Sequence, residues 1–391
     1  MSSLDSTKYD SSDLRGSYSW TEPLKGIYYG PGSVKTALPK LLDILGAKKA
    51  LVLTGRTLHD KTDVVKTVEN ILKERNAYGA TFYEIGQHAP IAGIRNGLKQ
   101  FKDVGADVIV SVGGGSPVDA AKAILYFQQQ ETGGPFLKQI AIPTTLSAAE
   151  YTAGAGYTND EGFKAVVTSP ELVPAGIILD AELTLTTPER LWYQRLSTGL
   201  RAVDHAVENL YRPLVPPPIK HICYAALADL FKYLPASKAN PQDVAVRQKL
   251  QIASWMSLWP LKTEKYSALG LSHALGHKLG ARYSIPHGIT SCLTLARVVA
   301  LKAETASQED KEWLAGALFY LRKPSTGSLE NDILKLSAEI QRLVDDLGLH
   351  STLAEYKVPR EDVPQIAELA VGTKDDPTLP KVVALLESLY A

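Results

Sequence analysis

Residues 107–122, with the sequence DVIVSVGGGSPVDAAK, predict a strand that passes through a glycine turn directly into a helix. Residues 107–112 are largely apolar, as in a buried strand, and Pro117 suits the first turn of a helix, where its missing N–H costs nothing. Such a junction directs free backbone N–H groups and the positive end of the helix dipole to one point, where phosphate binds well. A ligand-free turn is the alternative, which the flanking strand and helix disfavour. The residues expected to bind phosphate are Gly113, Gly114, Gly115 and Ser116.

The sequence on both sides of this turn alternates short apolar runs with amphipathic stretches. This alternation indicates βαβ units, and the continuous apolar character of the runs favours a mostly parallel sheet covered on both faces. We therefore expect a doubly wound α/β domain. Its predicted strands are residues 50–54, 81–85, 107–112, 139–143 and 176–179, and its predicted helices are residues 34–45, 62–76, 91–104 and 117–129.

The second half of the chain shows long helical periodicities and almost no strand pattern. We divide the chain into a polar tail at residues 1–18, an α/β domain at residues 19–185 and an all-α domain at residues 186–391, with a cleft between the two domains where ligands usually bind. The helices predicted for the second half are residues 189–210, 219–234, 241–258, 267–281, 288–301, 328–347 and 379–389.

The composition narrows the class of protein. Lys plus Arg equals Asp plus Glu at 42 each, and no basic run follows a phosphate backbone, so a nucleic-acid partner is not expected. The chain has only Cys223 and Cys292, which predict neither a disulfide framework nor a thiolate metal site. The polar N-terminus resembles neither a signal peptide nor a membrane anchor, so we expect a cytoplasmic protein.

The segment SVGGGSPVDAAKAI, residues 111–124, closely resembles the pyrophosphate-binding segment of the iron-type (group III) alcohol dehydrogenase superfamily. The turn follows the third predicted strand and not the first, which distinguishes it from the usual dinucleotide fingerprint. The superfamily includes the metal-free maleylacetate reductases and, more distantly, the glycerol dehydrogenases and dehydroquinate synthases. The resemblance extends over most of the chain and implies the dehydroquinate synthase-like fold, an NAD(P)H cofactor and a homodimer.

A second segment, PTTLSAAEYT at residues 143–152, resembles the family's cofactor-contacting loop. It is one residue shorter than the loop of the metal-dependent dehydrogenases and matches the maleylacetate reductases better. Hydroxyl groups in this loop suit ribose, amide and phosphate oxygens, although a strand-end Thr pair can also merely cap a helix. The resemblance adds Thr144, Thr145, Ser147 and, in the helix after the glycine turn, Asp119 to the expected cofactor-binding residues.

The position at which family members commonly carry an Asp for the adenosine ribose reads Thr54-Gly55-Arg56 here. With no carboxylate in that stretch, Gly55 and Arg56 leave room and positive charge for a 2′-phosphate, so NADPH is allowed beside NADH. A solvated loop arginine without a specific partner is the alternative.

Histidines in the helical half match the family's active site as a group. The resemblance implies that His205, His273 and His287 correspond to metal-binding histidines and that His277 corresponds to a non-ligand histidine near the nicotinamide. The position of the family's ligand Asp is Arg201. A guanidinium there would repel a divalent cation, so iron or zinc is disfavoured, and His205, His273 and His287 are the ligands expected if a metal binds.

Asp204 is the carboxylate adjacent to His205 in the sequence. One residue along a helix is a rotation of ~100°, so we expect Asp204 to point away from the face that Arg201 and His205 share. Without a metal, His273 or His277 is expected to donate the proton and Arg201 to bind a carboxylate or the oxyanion, within a catalytic set that also contains His205 and His287.

These observations favour an NAD(P)H-dependent reductase of a 4-oxo acid such as maleylacetate, or of a related carbonyl compound, that works without a metal. An iron- or zinc-dependent alcohol dehydrogenase is the first alternative. A redox-neutral lyase or cyclase of the dehydroquinate synthase-like class and a non-catalytic dinucleotide-binding protein are the others, because fold alone does not fix function.

Overall fold

The computed structural model describes residues 19–20, 22–185, 189–259, 261–262 and 267–390. The predicted tail at residues 1–18 lies outside the described residues. Residues 186–188, where the predicted domain boundary falls, also lie outside them. The position of that boundary therefore stays a prediction.

A six-stranded parallel sheet organises the first half, with the strand order β2-β9-β6-β5-β3-β4. A separate antiparallel hairpin pairs β7 with β8, and a two-residue ladder pairs β1 with β10. The strands are β1 Ser19–Trp20, β2 Gly26–Tyr29, β3 Ala50–Leu53, β4 Tyr78–Phe82, β5 Val108–Gly113, β6 Lys138–Pro143, β7 Gly154–Thr158, β8 Lys164–Thr168, β9 Gly176–Leu179 and β10 Leu261–Lys262.

Helices cover both faces of the sheet and make up nearly all of the second half, which confirms the predicted fold class. Among the described helices, none combines the length and the apolar character needed to cross a bilayer. The helices are α1 Val34–Leu45, α2 Arg56–Lys61, α3 Val64–Glu74, α4 Ile91–Asp103, α5 Gly115–Thr132, α6 Glu182–Leu185, α7 Glu189–Tyr211, α8 Pro217–Ala239, α9 Val244–Ser257, α10 Leu271–Tyr283, α11 His287–Thr305, α12 Gln308–Tyr320, α13 Leu329–Asp346, α14 Val363–Val371 and α15 Leu379–Glu387.

The sheet is buried because its side chains alternate between two apolar layers. On β3, Ala50 and Val52 pack with α1 and α3, whereas Leu51 and Leu53 pack with α4 and α5. All of these side chains are fully excluded from solvent. Burying one such Val or Leu side chain contributes roughly 1.5–3 kcal/mol, so the two layers hold the glycine turn on a rigid support.

The structure corrects the predicted elements at several places. Strand β2 was not predicted, so the glycine turn follows the fourth strand of the sheet in chain order and not the third. The hairpin β7–β8 and helices α2, α12 and α14 were also missed, and the helix predicted at residues 62–76 is the shorter α3. Gly154 and Gly156 interrupt the apolar pattern of β7, which hides it from a periodicity search.

Helix α9 joins the two halves through side chains that donate to backbone carbonyls of the α/β half. Gln248 Nε2 donates to Leu179 O at 3.0 Å, Gln251 Nε2 to Pro143 O at 3.3 Å, and Ser254 Oγ to Leu146 O at 3.2 Å. These acceptors lie at and beyond the carboxyl ends of β6 and β9. The predicted cofactor loop is thereby fixed against the helical half.

Candidate active site

The glycine turn has the backbone geometry that a phosphate site needs. Helix α5 begins at Gly115, and Gly114 precedes it in an extended conformation. Gly113 has a φ of 140°, and a Cβ there would lie 3.1 Å from Pro117 Cγ, so a larger residue would be strained. Ser116 Oγ accepts a bond of 3.1 Å from the backbone N–H of His88, which leaves the hydroxyl hydrogen of Ser116 available to a phosphate oxygen.

The loop after β6 lies directly against this turn. The backbone N–H of Thr144 donates to Gly113 O at 2.8 Å. A Cβ on Gly114 would lie 3.1 Å from Thr145 Cγ2, and a Cβ on Gly115 would lie 3.4 Å from Ser147 Oγ. A side chain at Gly114 would therefore push the loops apart, and the structure brings together the two segments expected to hold the dinucleotide.

Gly55 and Arg56, which are expected at the adenosine end of the dinucleotide, lie beside a carboxylate that was not predicted. Arg56 Nη2 lies 3.1 Å from Glu84 Oε1, and both side chains are exposed. Gly55 and Glu84 form an isolated bridge between their backbones. Glu84 follows β4, the neighbour of β3 in the sheet, so strand adjacency was the signal that could have found it.

Asp119 lies in the first turns of α5, beside the hairpin β7–β8. Burial raises the pKa of Asp119 to about 6, against the opposing effects of Lys122, Lys164 and the backbone N–H of Gly156. Lys122 donates to the carbonyls of Ala149 and Thr152, each at 2.6 Å. This contact ties α5 to the C-terminal part of the cofactor loop.

The histidines form two stacked pairs. The ring centroids of His205 and His273 lie 4.7 Å apart, and those of His277 and His287 lie 5.4 Å apart. Helix α11 also packs closely on α7, since a Cβ on Gly288 would lie 2.4 Å from the backbone of Ser197. Burial, together with nearby positive charge, lowers the pKa values of His205 and His287 well below the usual range. Both are therefore neutral at neutral pH.

Arg201 is buried, with 3% of its surface exposed, and it has an ionic partner. Its Nη1 lies 3.6 Å from Asp204 Oδ2 and donates to Ser291 Oγ at 3.3 Å. The prediction that Asp204 points away from Arg201 is wrong. Residues three apart on a helix differ by only ~60° in direction around the helix axis, so Asp204 lies near the side of α7 that carries Arg201. The prediction considered only the rotation between Asp204 and its neighbour His205.

Glu208 completes this cluster and was not predicted. Its Oε2 lies 2.7 Å from His273 Nδ1 and accepts from the backbone N–H of Gly270 at 2.6 Å, and its Oε1 accepts from the N–H of Ser272 at 2.8 Å. Asp204 Oδ1 lies 3.3 Å from the same His273 nitrogen. Arg201, Asp204 and Glu208 are spaced three and four apart, so helical spacing was the signal for one shared face.

The two carboxylates change the protonation of His273. Burial and the charge of Arg201 lower the pKa of His273, but Asp204 and Glu208 outweigh them, and the pKa is raised overall. Burial alone would raise the pKa of Asp204, whereas His273, Arg201 and Ser291 hold it below its ordinary value. The raised pKa favours the imidazolium form of His273.

The ligand atoms of Asp204, Glu208 and His273 all lie within 4.8 Å of one another, which is close enough for a shared metal ion. This group differs from the expected ligand set of His205, His273 and His287. In the described part of the chain, those three histidines form no such group.

Lys164 on β8 was also not predicted to belong to the site. Desolvation is the largest cause that lowers the pKa values of His277 and His287. The charge of Lys164 is the second cause for His277 and the third, after the charge of Arg201, for His287. The pKa of His277 is lowered to about 2. The hairpin is therefore close to the histidines of the helical half. The run Asn159-Asp160-Glu161-Gly162 between two alternating segments was the hairpin signal.

Comparison with known proteins identifies the class to which this fold and site belong. The family model for "Iron-containing alcohol dehydrogenase" matches residues 25–181, and the model for the C-terminal part of the "Fe-containing alcohol dehydrogenase family" matches residues 195–390. The chain belongs to the iron-containing alcohol dehydrogenase family. It is an NAD(P)-dependent oxidoreductase, as the resemblance in the sequence predicted.

Individual relatives come from two groups within this family. A maleylacetate reductase of Burkholderia cepacia is 31% identical over 345 residues, which cover 88% of each chain. Maleylacetate reductase 1 of Cupriavidus pinatubonensis is 27% identical and covers 93% of each chain. The crystal structure of a 1,3-propanediol oxidoreductase superposes with a TM-score of 0.84 at 26% identity, covering 96% of this chain and 100% of the other.

Replacing Gly113 by Ala is expected to weaken NADH and NADPH binding at least about 10-fold, because the φ of 140° and the contact with Pro117 shift the turn. Dinucleotide affinity is measured by nicotinamide fluorescence. Gly105→Ala is the control, since Gly105 also has a positive φ of 63° but nothing lies within 4 Å of its added Cβ. Equal affinity in Gly113→Ala and wild type would contradict the assignment.

Proposed function

We propose that this protein reduces the carbonyl group of a 4-oxo acid, such as maleylacetate, with NAD(P)H and without a bound metal ion. The arrangement of His273 carries this proposal. Two carboxylates lie within ion-pair distance of its Nδ1, at 3.3 Å and 2.7 Å. Both ring nitrogens are buried, and neither has a hydrogen-bond partner of good geometry among the described residues. A buried imidazolium N–H without an acceptor is costly, and a substrate oxygen would satisfy it.

When bound, NAD(P)H supplies the hydride that adds to the carbonyl carbon. His273 donates its Nε2 proton to the carbonyl oxygen, so that the products are the alcohol, NAD(P)⁺ and a neutral imidazole. Asp204 and Glu208 hold the imidazolium before this transfer and orient its ring. Arg201, packed against Asp204, adds positive potential that stabilises negative charge developing on the oxygen.

The donor set argues against a divalent metal. The Glu208 oxygens already accept two backbone N–H groups, and Asp204 Oδ2 accepts the hydroxyls of Ser272 and Ser291 at 2.9 Å and 2.6 Å. A metal would have to displace these donors and would meet the Arg201 guanidinium, 3.6 Å from Asp204. Like charges this close and poorly solvated repel strongly.

The runner-up is an iron- or zinc-dependent alcohol dehydrogenase. The short distances between the ligand atoms of Asp204, Glu208 and His273 favour it. Relatives such as the NAD-dependent methanol dehydrogenase of Bacillus methanolicus, 27% identical over 370 residues, also favour it. The lyase or cyclase hypothesis has no separate support. A homodimer rests on the family resemblance, and the use of NADPH rests on Gly55 and Arg56. Both, together with a cytoplasmic location, stay parts of the proposal.

Extensive dialysis against a strong chelator is expected to leave maleylacetate reduction within about 2-fold of the untreated enzyme, because no step needs a metal. Elemental analysis of the protein, purified without an affinity metal, gives the metal content of the same enzyme. Arg201→Asp is expected to bind Zn²⁺ at least about 10-fold more tightly than wild type, with Arg282→Asp, an exposed arginine, as control. Loss of activity that added metal restores would favour the runner-up.

Glu208→Gln is expected to move the alkaline limb of the reduction rate to lower pH by about 1 unit. The carboxylates raise the pKa of His273, so the acid form persists above pH 6.5 and reduction is lost as the pH rises through the raised value. Removing one charge lowers that pKa. The kcat–pH profile is compared with that of Glu304→Gln, an exposed glutamate paired with Lys381. An unchanged limb would exclude His273 as the acid.

Cofactor preference is expected to depend on the ion pair between Arg56 and Glu84. Glu84→Gln frees the guanidinium for a 2′-phosphate and is expected to raise the ratio of kcat/KM for NADPH to that for NADH by about 3- to 10-fold. Arg56→Gln should shift the ratio in the opposite direction. If neither variant changes the ratio, the adenosine end lies elsewhere.

A further inference from the structure

Two consecutive residues before α4 have a backbone conformation that L side chains rarely adopt. His88 has a φ of 61° and Ala89 has a φ of 47°. Ala89 also precedes Pro90, which restricts its backbone further. No other two adjacent non-glycine residues of the described segments both have a positive φ. Strain of this kind persists only where the surrounding structure enforces it, and it is concentrated at functional sites.

The corner formed by residues 88 and 89 lies against the glycine turn. The backbone N–H of His88 donates to Ser116 Oγ at 3.1 Å. A serine hydroxyl has one hydrogen and accepts through its lone pairs, so this bond fixes the oxygen as an acceptor on the side of His88 and leaves the hydrogen for another partner. An accepted bond also polarises the hydroxyl group and makes it a better donor. The corner therefore prepares Ser116 to donate to a phosphate oxygen.

The hairpin β7–β8 holds the other side of the corner through Thr158. Thr158 Oγ1 donates to His88 O at 3.3 Å, and the backbone N–H of Thr158 donates to Ala89 O at 3.3 Å. Pro90 and Thr158 also form an isolated backbone bridge. The carbonyl groups of both left-handed residues thus accept from a single residue of the hairpin, which stabilises a conformation that the corner would otherwise avoid.

The hairpin is itself fixed on α4, the helix that follows the corner. Asp160 lies two residues after Thr158 and accepts two bonds from Arg95, at 2.8 Å and 2.7 Å. Both side chains are exposed, so the pair adds little stability, but two parallel bonds define an orientation better than one. Because α4 begins at Ile91, this pair fixes the hairpin close to the corner in the sequence.

We propose that His88 and Thr158 are positioning residues for the cofactor. Thr158 holds the left-handed corner, and the backbone N–H of His88 in that corner orients the Ser116 hydroxyl toward a phosphate of the dinucleotide. This inference rests on the proposed binding of NAD(P)H at the glycine turn. The backbone conformation of His88 carries the role and its imidazole does not. Thr158 acts on dinucleotide affinity through the corner.

Two substitutions of His88 test the corner, because both remove the imidazole but differ in backbone preference. Asparagine adopts positive φ readily, whereas β-branched valine does not. His88→Val is expected to raise the Kd of NADH and NADPH by about 5- to 20-fold, and His88→Asn by less than about 2-fold. Affinity is measured by nicotinamide fluorescence without substrate. Equal affinities in the two variants overturn the role of the corner.

Lys357→Val is the matched control for the cost of valine at a positive φ. Lys357 is exposed, lies in the helical half and has a φ of 55°. The variant is expected to lower the temperature of thermal unfolding much as His88→Val does, but to leave the Kd of both dinucleotides unchanged. A loss of affinity in Lys357→Val as large as in His88→Val shows a general effect on stability and contradicts the proposal.

Thr158→Val tests the hairpin with a smaller change. It removes the hydroxyl but keeps the β-branched shape and the backbone N–H that donates to Ala89 O. The Kd of both dinucleotides is expected to rise by about 2- to 5-fold, while Thr158→Ser, which keeps the hydroxyl, stays within about 2-fold of wild type. Thr168→Val, at an exposed position of β8, is the control. Unchanged affinity in Thr158→Val overturns its role.

Ser116→Ala decides whether these effects pass through the hydroxyl group. It is expected to raise the Kd by about 10-fold, and in its background His88→Val and Thr158→Val should add no further effect. Effects that add in full refute the positioning of Ser116 and leave the cofactor site standing. If Ser116→Ala binds as wild type does and Gly113→Ala binds weakly, the inference alone fails. If both bind as wild type does, the assignment of the glycine turn fails with it.

Discussion

The buried guanidinium of Arg201 is the constraint on which the site depends. Arginine stays protonated at any pH a protein survives, and a buried charge without a partner costs several kcal/mol. The protein therefore places Asp204 and Glu208 on the same face of α7, and the second cation, His273, balances the second carboxylate. Glu208 also accepts the backbone N–H groups at the start of α10, so the same charges fix the helix that carries His273 and His277.

The fold was largely predictable because its signals are local. Apolar runs of strand length and a glycine turn between strand and helix require no knowledge of distant residues, and helix α1 begins and ends where the sequence predicted. The hairpin β7–β8 was missed for the opposite reason. Gly156 serves a close approach of Lys164, which only the folded chain reveals, and the two glycines at positions 154 and 156 weaken the pattern that identifies a strand.

The residues of the site were predicted better than the contacts between them. The two cofactor loops and the four histidines were all located in the sequence, but the partners that set their charges were not. Glu208 could have been found from helical spacing relative to Arg201, since both lie on one face of α7. Glu84 and Lys164 could not be found in this way, because they reach the site through strand adjacency and hairpin pairing, and these depend on a topology that periodicity does not specify.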